Sequence, residues 1–431
     1  MRNGITVLLA ITLAVGLIYS CKKQETSAPV IAITSPYSGQ IVVIGQAINV
    51  NATINYNGSL QYVKLSLINS NYITVDAMAS LPVTASPMNI KTTYTITNTN
   101  LLSGNYYLQI TAFDGTNTAN GYAEISLHVV PAYTKAVYVI TGSNNVNTMV
   151  WKVDSSNAIS SVMALAGDFS NAAVSSADQC LYTTGIYTGN FNCISLNTNA
   201  INFSFSSFNN GFPTYERVYS NNQKNFIAEY DNVIHGYDKY GNDNYTAATL
   251  SGTYPYNMFS DRQYLYAEQR DIAGSGVALN VYYLPNGVAF RNLTINQEIV
   301  AMYSYSADSL LLFTNSNGVG HALFYNIPNN QINTAITLPA EKIFSAVQIS
   351  PIEYLIAMQN QVYVYTTSSL GMVSPLLSIP AVAAMKFDTI TNQIFIASNK
   401  NLNIYNASTF VLKNTLSFAD TLKDIAILHS R

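Results

Sequence analysis

The stretch AMYSYSADSLLLFTNSNGVGHALFYNIPNNQINTAITL, residues 301–338, contains four strand-like segments in a row. AMYSYSAD is followed by LLLFTN, then by ALFYNI, the turn PNNQ and a last segment NTAITL. Segments of this length, rich in β-branched and aromatic residues and separated by Asn and Gly, are the pattern of antiparallel strands joined by tight turns. The second segment recurs along the chain. AVYVITG, QCLYTTG, NFIAEYD, QYLYAEQ, SLLLFTN, EYLIAMQ and QIFIASN place Tyr138, Tyr182, Ile227, Tyr266, Leu312, Ile356 and Ile396 in equivalent positions. Their spacings run from 39 to 46 residues with a mean of 43.

A period near 43 built from four strands predicts a β-propeller. The first unit begins at its second strand, AVYVI, and the chain finishes on LKDIAILHS, a first strand with nothing after it. One arrangement explains both orphans: the C-terminal strand completes the first blade and closes a seven-bladed ring, so that no sheet edge is left unpaired. CISLNTNAINFSF and VWKVDSSNAISSVMAL resemble YVTN-type repeats, a WD40-like propeller class of secreted and surface proteins; that resemblance implies no catalytic residues.

Residues 29–131 show short alternating strands of another kind. AINVNATI (47–54) puts Ile48, Val50, Ala52 and Ile54 on one face, and GNYYLQITAF (104–113) does the same with Tyr106, Leu108, Ile110 and Ala112. This period of two marks half-buried strands, and seven or eight of them in about 100 residues suit a sandwich. PVIAITSPYSGQIV, VKLSLI and LLSGNYYLQITAFDGTN resemble bacterial Ig-like domains, which implies a spacer carrying the propeller at 132–431. The expected fold class is therefore all-β, an Ig-like β-sandwich followed by a seven-bladed β-propeller closed by the C-terminal strand.

The chain opens with MRNGITVLLAITLAVGLIYSCKKQETSAP, in which an uncharged apolar run at 5–18 precedes Tyr19, Ser20 and Cys21. The run is too short to span a bilayer and suits a secretory signal. A small residue before a Cys resembles the lipobox of bacterial lipoproteins, and the KKQE that follows resembles the surface-export signal of the Bacteroidota. The resemblance implies a signal peptide and lipidated Cys at 1–21, a tether at 22–28, and an exported, outer-membrane lipid-anchored protein with a surface-exposed chain.

Of the 431 residues only 10% are charged, with Lys+Arg 19 against Asp+Glu 22 and Tyr at 32. Without a basic surplus nothing neutralises phosphates, so nucleic acid is excluded as a partner. C-x-x-C, H-E-x-x-H, G-x-S-x-G, Walker A and G-x-G-x-x-G patterns are absent, and no cofactor or metal is expected. His128, His235, His321 and His429 are scattered. In EYDNVIHGYDKYGND (229–243) the topology predicts Asp231 at one rim and Asp238 and Asp243 at the other, so that they share no ion; DKYGN reads as a hairpin turn with Gly241 at positive φ.

The rim that carries the inter-blade loops is the expected binding face. AGDFSN, SFNNGFPTY and SGTYPYN bring Phe169, Phe208, Phe212, Tyr215, Tyr254 and Tyr256 to it, and the long loop EQRDIAGSG adds Glu268, Arg270 and Asp271. Rings that stack and a few charges that orient suit a glycan, a peptide or a protein partner. The alternative is a propeller enzyme of lactonase, lyase or quinoprotein type with its site at the channel mouth. For this the inner strands offer Ser175, Ser176, Ser220, Asp261, Ser306, Asp308, Gln348, Lys386 and Asp388, a thin supply of acid–base groups. Cys180 and Cys193 fall on the second and third strands of one blade. A symmetric hairpin sets them directly opposite each other, as a cross-strand disulfide or as two packed thiols.

Overall fold

A computed structural model describes residues 27–98, 101–129, 131–142, 147–208, 211–221, 224–368 and 372–430. Cys21 and the leader lie outside the described residues. The chain divides into two compact units between Pro131 and Ala132. Every regular element among the described residues is a strand.

The first unit has two facing sheets. Val30–Ser35, Ala47–Asn55 and Met88–Thr95 form one; Gln40–Val43, Thr118–His128, Gly104–Phe113, Tyr62–Ile68 and Ala79–Leu81 form the other in that order. The period-two residues of both quoted strands face inward: Ile48, Val50, Ala52, Ile54, Leu108, Ile110 and Ala112 are buried in one core with Val63, Leu65 and Leu67.

The second unit is the propeller. Seven four-stranded antiparallel sheets follow one another among the described residues. Six are sequential; in the blade quoted at the start the order runs Glu298–Ser306, Ser309–Ser316, Val319–Asn326, Gln331–Thr337. The remaining sheet is composite, with Leu422–His429 pairing beside Thr134–Thr141, then Asn147–Val153 and Ile159–Ala166. The two orphan strands thus complete one blade. Closure is visible in the packing as well. Seven separate apolar clusters occupy the seven gaps between blades, and the gap between last and first blade is filled by Phe395, Ala397 and Ile404 against Val137, Val139 and Ile425.

Local chemistry explains why this composition forms blades. Eight of the thirteen non-glycine residues at positive φ among the described residues are Asn, which tolerates that region best after Gly. In the first, third and seventh blades the turn to the outer strand opens on Asp or Asn, whose side-chain oxygen accepts backbone N–H groups: Asp154 Oδ1 from Ser156 and Ala158, Asp238 Oδ1 from Tyr240 and Asn242, Asn406 Oδ1 from Ser408 and Thr409. Gly241 has φ +85° in its expected turn.

Polar side chains tie neighbouring inner strands together. Asp424 Oδ2 accepts from Ala172 N at 2.9 Å, and the Asn171 amide bonds both N and O of Val218 at 2.8 and 2.9 Å. Tyr303 OH donates to Ala346 O at 2.7 Å and Met385 N to Ser345 Oγ at 3.2 Å. Asp388, fully buried, accepts from His429 Nε2 at 3.1 Å, Thr391 Oγ1, Thr134 Oγ1 and Ile390 N, clasping the last blade to the composite one. These hydrogen bonds hold its carboxyl far below the usual range despite burial. Asp388, offered by the sequence as a channel acid, is thus a structural clasp.

Candidate functional site

Inner strands run between two rims, and five of the seven carry an extra residue in their first turn at the rim of the inter-blade loops. The register slips between Tyr215 and Arg217, Pro255 and Met258, Ile299 and Ala301, Val382 and Ala384, and Leu422 and Asp424. A bulge re-aims the side chains around it. In the third and fourth blades the re-aimed residues are Glu216, Arg217, Tyr256 and Asn257, and they build a charged aromatic cluster.

Two guanidinium groups meet Tyr256, Arg270 at 3.4 Å and Arg217 at 4.7 Å from its ring centre; Arg217 Nη2 also donates to its hydroxyl at 3.3 Å. Such stacking is electrostatically favourable. Arg270 Nε donates to Glu268 Oε1 at 2.8 Å. Glu268 is fully buried and receives two more donors, Asn257 Nδ2 at 3.0 Å and Ile299 N at 3.4 Å. Burial raises its carboxyl pKa, and Arg270 opposes that rise. Glu216 is 6% exposed; burial pushes its carboxyl up to about 7, against the attraction of Arg270 and Arg217. Tyr254 pairs with Arg270 across the sheet and packs on Tyr230 at 4.7 Å.

A groove of ≈ 870 Å³ opens beside this cluster. Tyr254, Arg270 and Asp271 form one wall; Asn296 of the inter-blade connection and Glu298 and Asn315 of the next blade line the other. At its far end Lys342 Nζ bridges to Glu298 at 3.1 Å. The loop at 272–276 packs tightly: a Cβ on Gly276 would fall 2.1 Å from Asp271 Oδ2. A second cavity, ≈ 350 Å³, lies between inner strands and is lined by Arg217, Asn257, Lys386 and the backbone around Ala172 and Ala426.

Five of the nine residues singled out from the sequence, Tyr254, Tyr256, Glu268, Arg270 and Asp271, come together here. The others do not. Tyr215 is 5% exposed, packed on Phe191 and donating to Ser206 O at 3.2 Å, so it is a core residue. Phe169 is half-buried against the apolar gap between the first two blades. Phe208 and Phe212 are 75% and 64% exposed on a neighbouring loop. Sequence reading missed Glu216, Arg217, Asn257 and Tyr230.

The residues around His235 add to one expectation. Asp231 and Asp243 stand at opposite ends of the strand Val233–Tyr237, as the topology predicts, yet one side chain joins them: His235 Nε2 meets Asp231 Oδ2 at 3.0 Å and Nδ1 meets Asp243 Oδ2 at 2.7 Å. The strand Val233–Tyr237 is only five residues long, and an imidazole at its centre reaches groups at both ends. Asp231 and Asp243, with Glu229, hold His235 charged, raising its pKa to about 9 against desolvation, while burial lifts Glu229 to about 7.

The cysteine geometry is also corrected. Tyr182 faces Cys193 and Cys180 faces Ser195, so the two cysteines are diagonal, not opposite. Both are free and buried, with the Asn202 amide 3.5 Å from Cys180 Sγ and 3.7 Å from Cys193 Sγ. The two thiols hydrogen-bond each other across the diagonal and pack in the gap between the second and third blades with Tyr182, Phe191 and Tyr215.

No protein-family model and no curated protein matches the chain. Solved structures similar to it include the Dos1 propeller, at 11% identity over 68% of this chain and 88% of that one with a TM-score of 0.49. The computationally designed Ika8 protein is similar at 12% identity over 68% and 91%, TM-score 0.47. Dihydro-heme d1 dehydrogenase NirN in complex with DHE is similar at 13% over 74% and 72%, TM-score 0.48. Likenesses at this level carry nothing about ligand or activity.

Proposed function

We propose that this chain is a lipid-anchored protein of the outer membrane whose propeller binds a glycan, peptide or protein partner in the rim groove beside Tyr254, with an Ig-like first domain as its spacer. The observation that carries the binding reading is the array of Tyr254, Tyr256 and Arg270 over the buried Glu268, opening on a groove of ≈ 870 Å³. Rings offer apolar faces, the guanidinium and Asp271 orient polar groups, and the carboxylate beneath keeps Arg270 in place. The anchor rests on the resemblance at Ser20–Cys21; membrane fractionation of a Cys21→Ser variant in a lipoprotein-processing bacterial host tests it separately, with release to the soluble fraction expected and unchanged membrane retention against it.

The groove is tested with glycan and peptide arrays probed by the chain from Lys22 onward. Binding that Tyr254→Ala and Asp271→Asn each weaken supports the reading; no binding, or binding indifferent to both, sinks it. One observation favours an enzyme instead: Glu216, titrating near 7, beside a second carboxylate, is suited to acid–base work. Hydrolysis or elimination of an array hit, abolished in Glu216→Gln with binding intact, would establish that reading.

A further inference from the structure

The outward face of the five-stranded sheet in the first unit has a composition unlike that of an inert spacer. Strands Tyr62–Ile68, Gly104–Phe113 and Thr118–His128 lie side by side, and alternation leaves one residue in two facing outward. At one end three tyrosines form a cluster: Tyr72 stacks on Tyr107 at 6.2 Å with 12° between planes, and meets Tyr122 edge-on at 5.8 Å. At the other end Tyr62 and Phe113 lie 5.2 Å apart, with Lys64 Nζ 4.7 Å above the Tyr62 ring. Neutral polar groups cross the space between. Thr111 Oγ1 and Gln109 Nε2 both donate to Asn120 Oδ1, at 2.7 and 3.1 Å, and Ser66 Oγ donates to Gln109 Oε1 at 3.3 Å.

Tyr72 is the residue that asks for an explanation. It has φ +60°, the left-handed conformation that strains a residue bearing a Cβ. The turn around it needs no tyrosine: the Asn69 side chain satisfies Asn71 N and Ile73 N, and Tyr72 supplies only its own N–H to Asn69 O. Nor does burial repay the strain, since Tyr72 is 66% exposed and its neighbour Tyr122 is 45% exposed. A strained, exposed aromatic residue is evidence of use.

The charge pattern selects the occupant. The outward charges on these three strands are Lys64, which lies on Tyr62, Glu124, which accepts from Asn105 at 2.8 Å, and His128 at a strand end. Nothing here draws a polyanion or polycation. An amide row through the middle is also unlike the apolar centre of a protein interface. Six residues separate Tyr107 from Phe113 along one strand, about 20 Å, so the two aromatic patches suit the apolar faces of separate rings in one extended chain, with hydroxyls meeting the amides between.

We infer that this sheet face is a second binding surface, independent of the propeller groove, and that it takes a neutral polysaccharide lying along the strands. The test uses the whole chain from Lys22 onward in affinity electrophoresis through gels containing xylan, mixed-linkage β-glucan or polygalacturonate, and in pull-downs on cellulose and chitin. The expected result is retention by at least one neutral polysaccharide and none by polygalacturonate. Tyr72→Ala with Tyr122→Ala should weaken it about tenfold or more. Tyr72→Gly should also weaken it while its first unit melts no lower than the parent, because glycine relieves the positive φ; this separates a binding role from a structural one. Tyr254→Ala should leave retention unchanged, so the surface stands or falls apart from the propeller reading. Absence of retention by every neutral polysaccharide, preference for polygalacturonate, or retention unaffected by the Tyr72 and Tyr122 variants would overturn the inference.

Discussion

Arg270→Ala is the perturbation that reads the rim cluster most sharply. It removes the cation from a carboxylate that has no exposure to water, leaving Glu268 with Asn257 and the Ile299 amide as its donors. Breaking a buried pair from one side costs about 3–5 kcal/mol, and the lost stack on Tyr256 adds to it. For a 300-residue propeller, an unfolding entropy of about 2.1 cal/mol/K per residue turns that into a fall of roughly 5–8 °C in its melting midpoint. The single Trp of the chain, Trp151, lies in the propeller and bonds Thr141 Oγ1 at 3.0 Å, so its fluorescence follows that unit alone. The loss must also depend on pH. An acid whose folded pKa is raised lowers stability as pH rises, so the deficit of Arg270→Ala should be largest at pH 8 and shrink toward pH 5 as Glu268 takes up its proton. Replacing both partners, Glu268→Leu with Arg270→Met, should recover most of the loss. A deficit under about 1 kcal/mol at pH 8, or one that does not vary with pH, would show that Arg270 does not hold a buried charge on Glu268.

Three further outcomes are expected. His235, raised to about 9 by Asp231 and Asp243, contributes stability that is complete below pH 6.5 and lost as pH rises through 9; its partly exposed partners reduce this to about 1–2 kcal/mol. Urea unfolding at pH 6 and pH 9.5 should show it in the parent and not in His235→Gln, and an equal change of unfolding free energy between the two pH values in both proteins would contradict it. Cys180 and Cys193 should resist a water-soluble thiol reagent in the native chain from Lys22 onward and give two equivalents in denaturant; native reactivity, or a mass two units low, would count against the packed-thiol geometry. Deleting Leu422–His429 should abolish cooperative propeller unfolding, because Val137, Val139 and Phe395 lose their covering strand; a truncated chain that melts as the parent does would contradict closure by this strand.

Much of the architecture is legible because blades are local. Each second strand is a short apolar run, outer turns open on Asp154, Asp238, Asn326 and Asn406, and the two orphan strands at 136–140 and 422–430 need each other. The rim site was legible only in part. Tyr254, Arg270 and Asp271 stand in segments that look like aromatic or long loops and prove to be the ends of the strands Thr253–Asp261 and Tyr264–Asp271. Glu216, Arg217 and Asn257 reach the cluster through bulges near the strand starts, where too few alternating residues precede the slip to show its change of phase. The cysteines show the same limit. Hairpin symmetry sets them opposite, but the loop between them is shaped from outside: the Asp168 carboxylate, from the preceding connection, accepts from Ile186, Tyr187, Thr188 and Gly189 N. The pairing then shifts by two residues. Tyr215 looks like a rim aromatic by position alone; Phe191 and Ser206, distant in sequence, make it core.

The proposed ligand groove lies at the rim between the fourth and fifth blades. Hydrogen exchange on the chain from Lys22 onward, with and without a saturating array hit, tests it directly. Slowed exchange is expected in the loop at 271–277 and the turn at 315–318, both lost in Tyr254→Ala. Protection confined to the opposite rim, or none in either segment while ligand is bound, would contradict it.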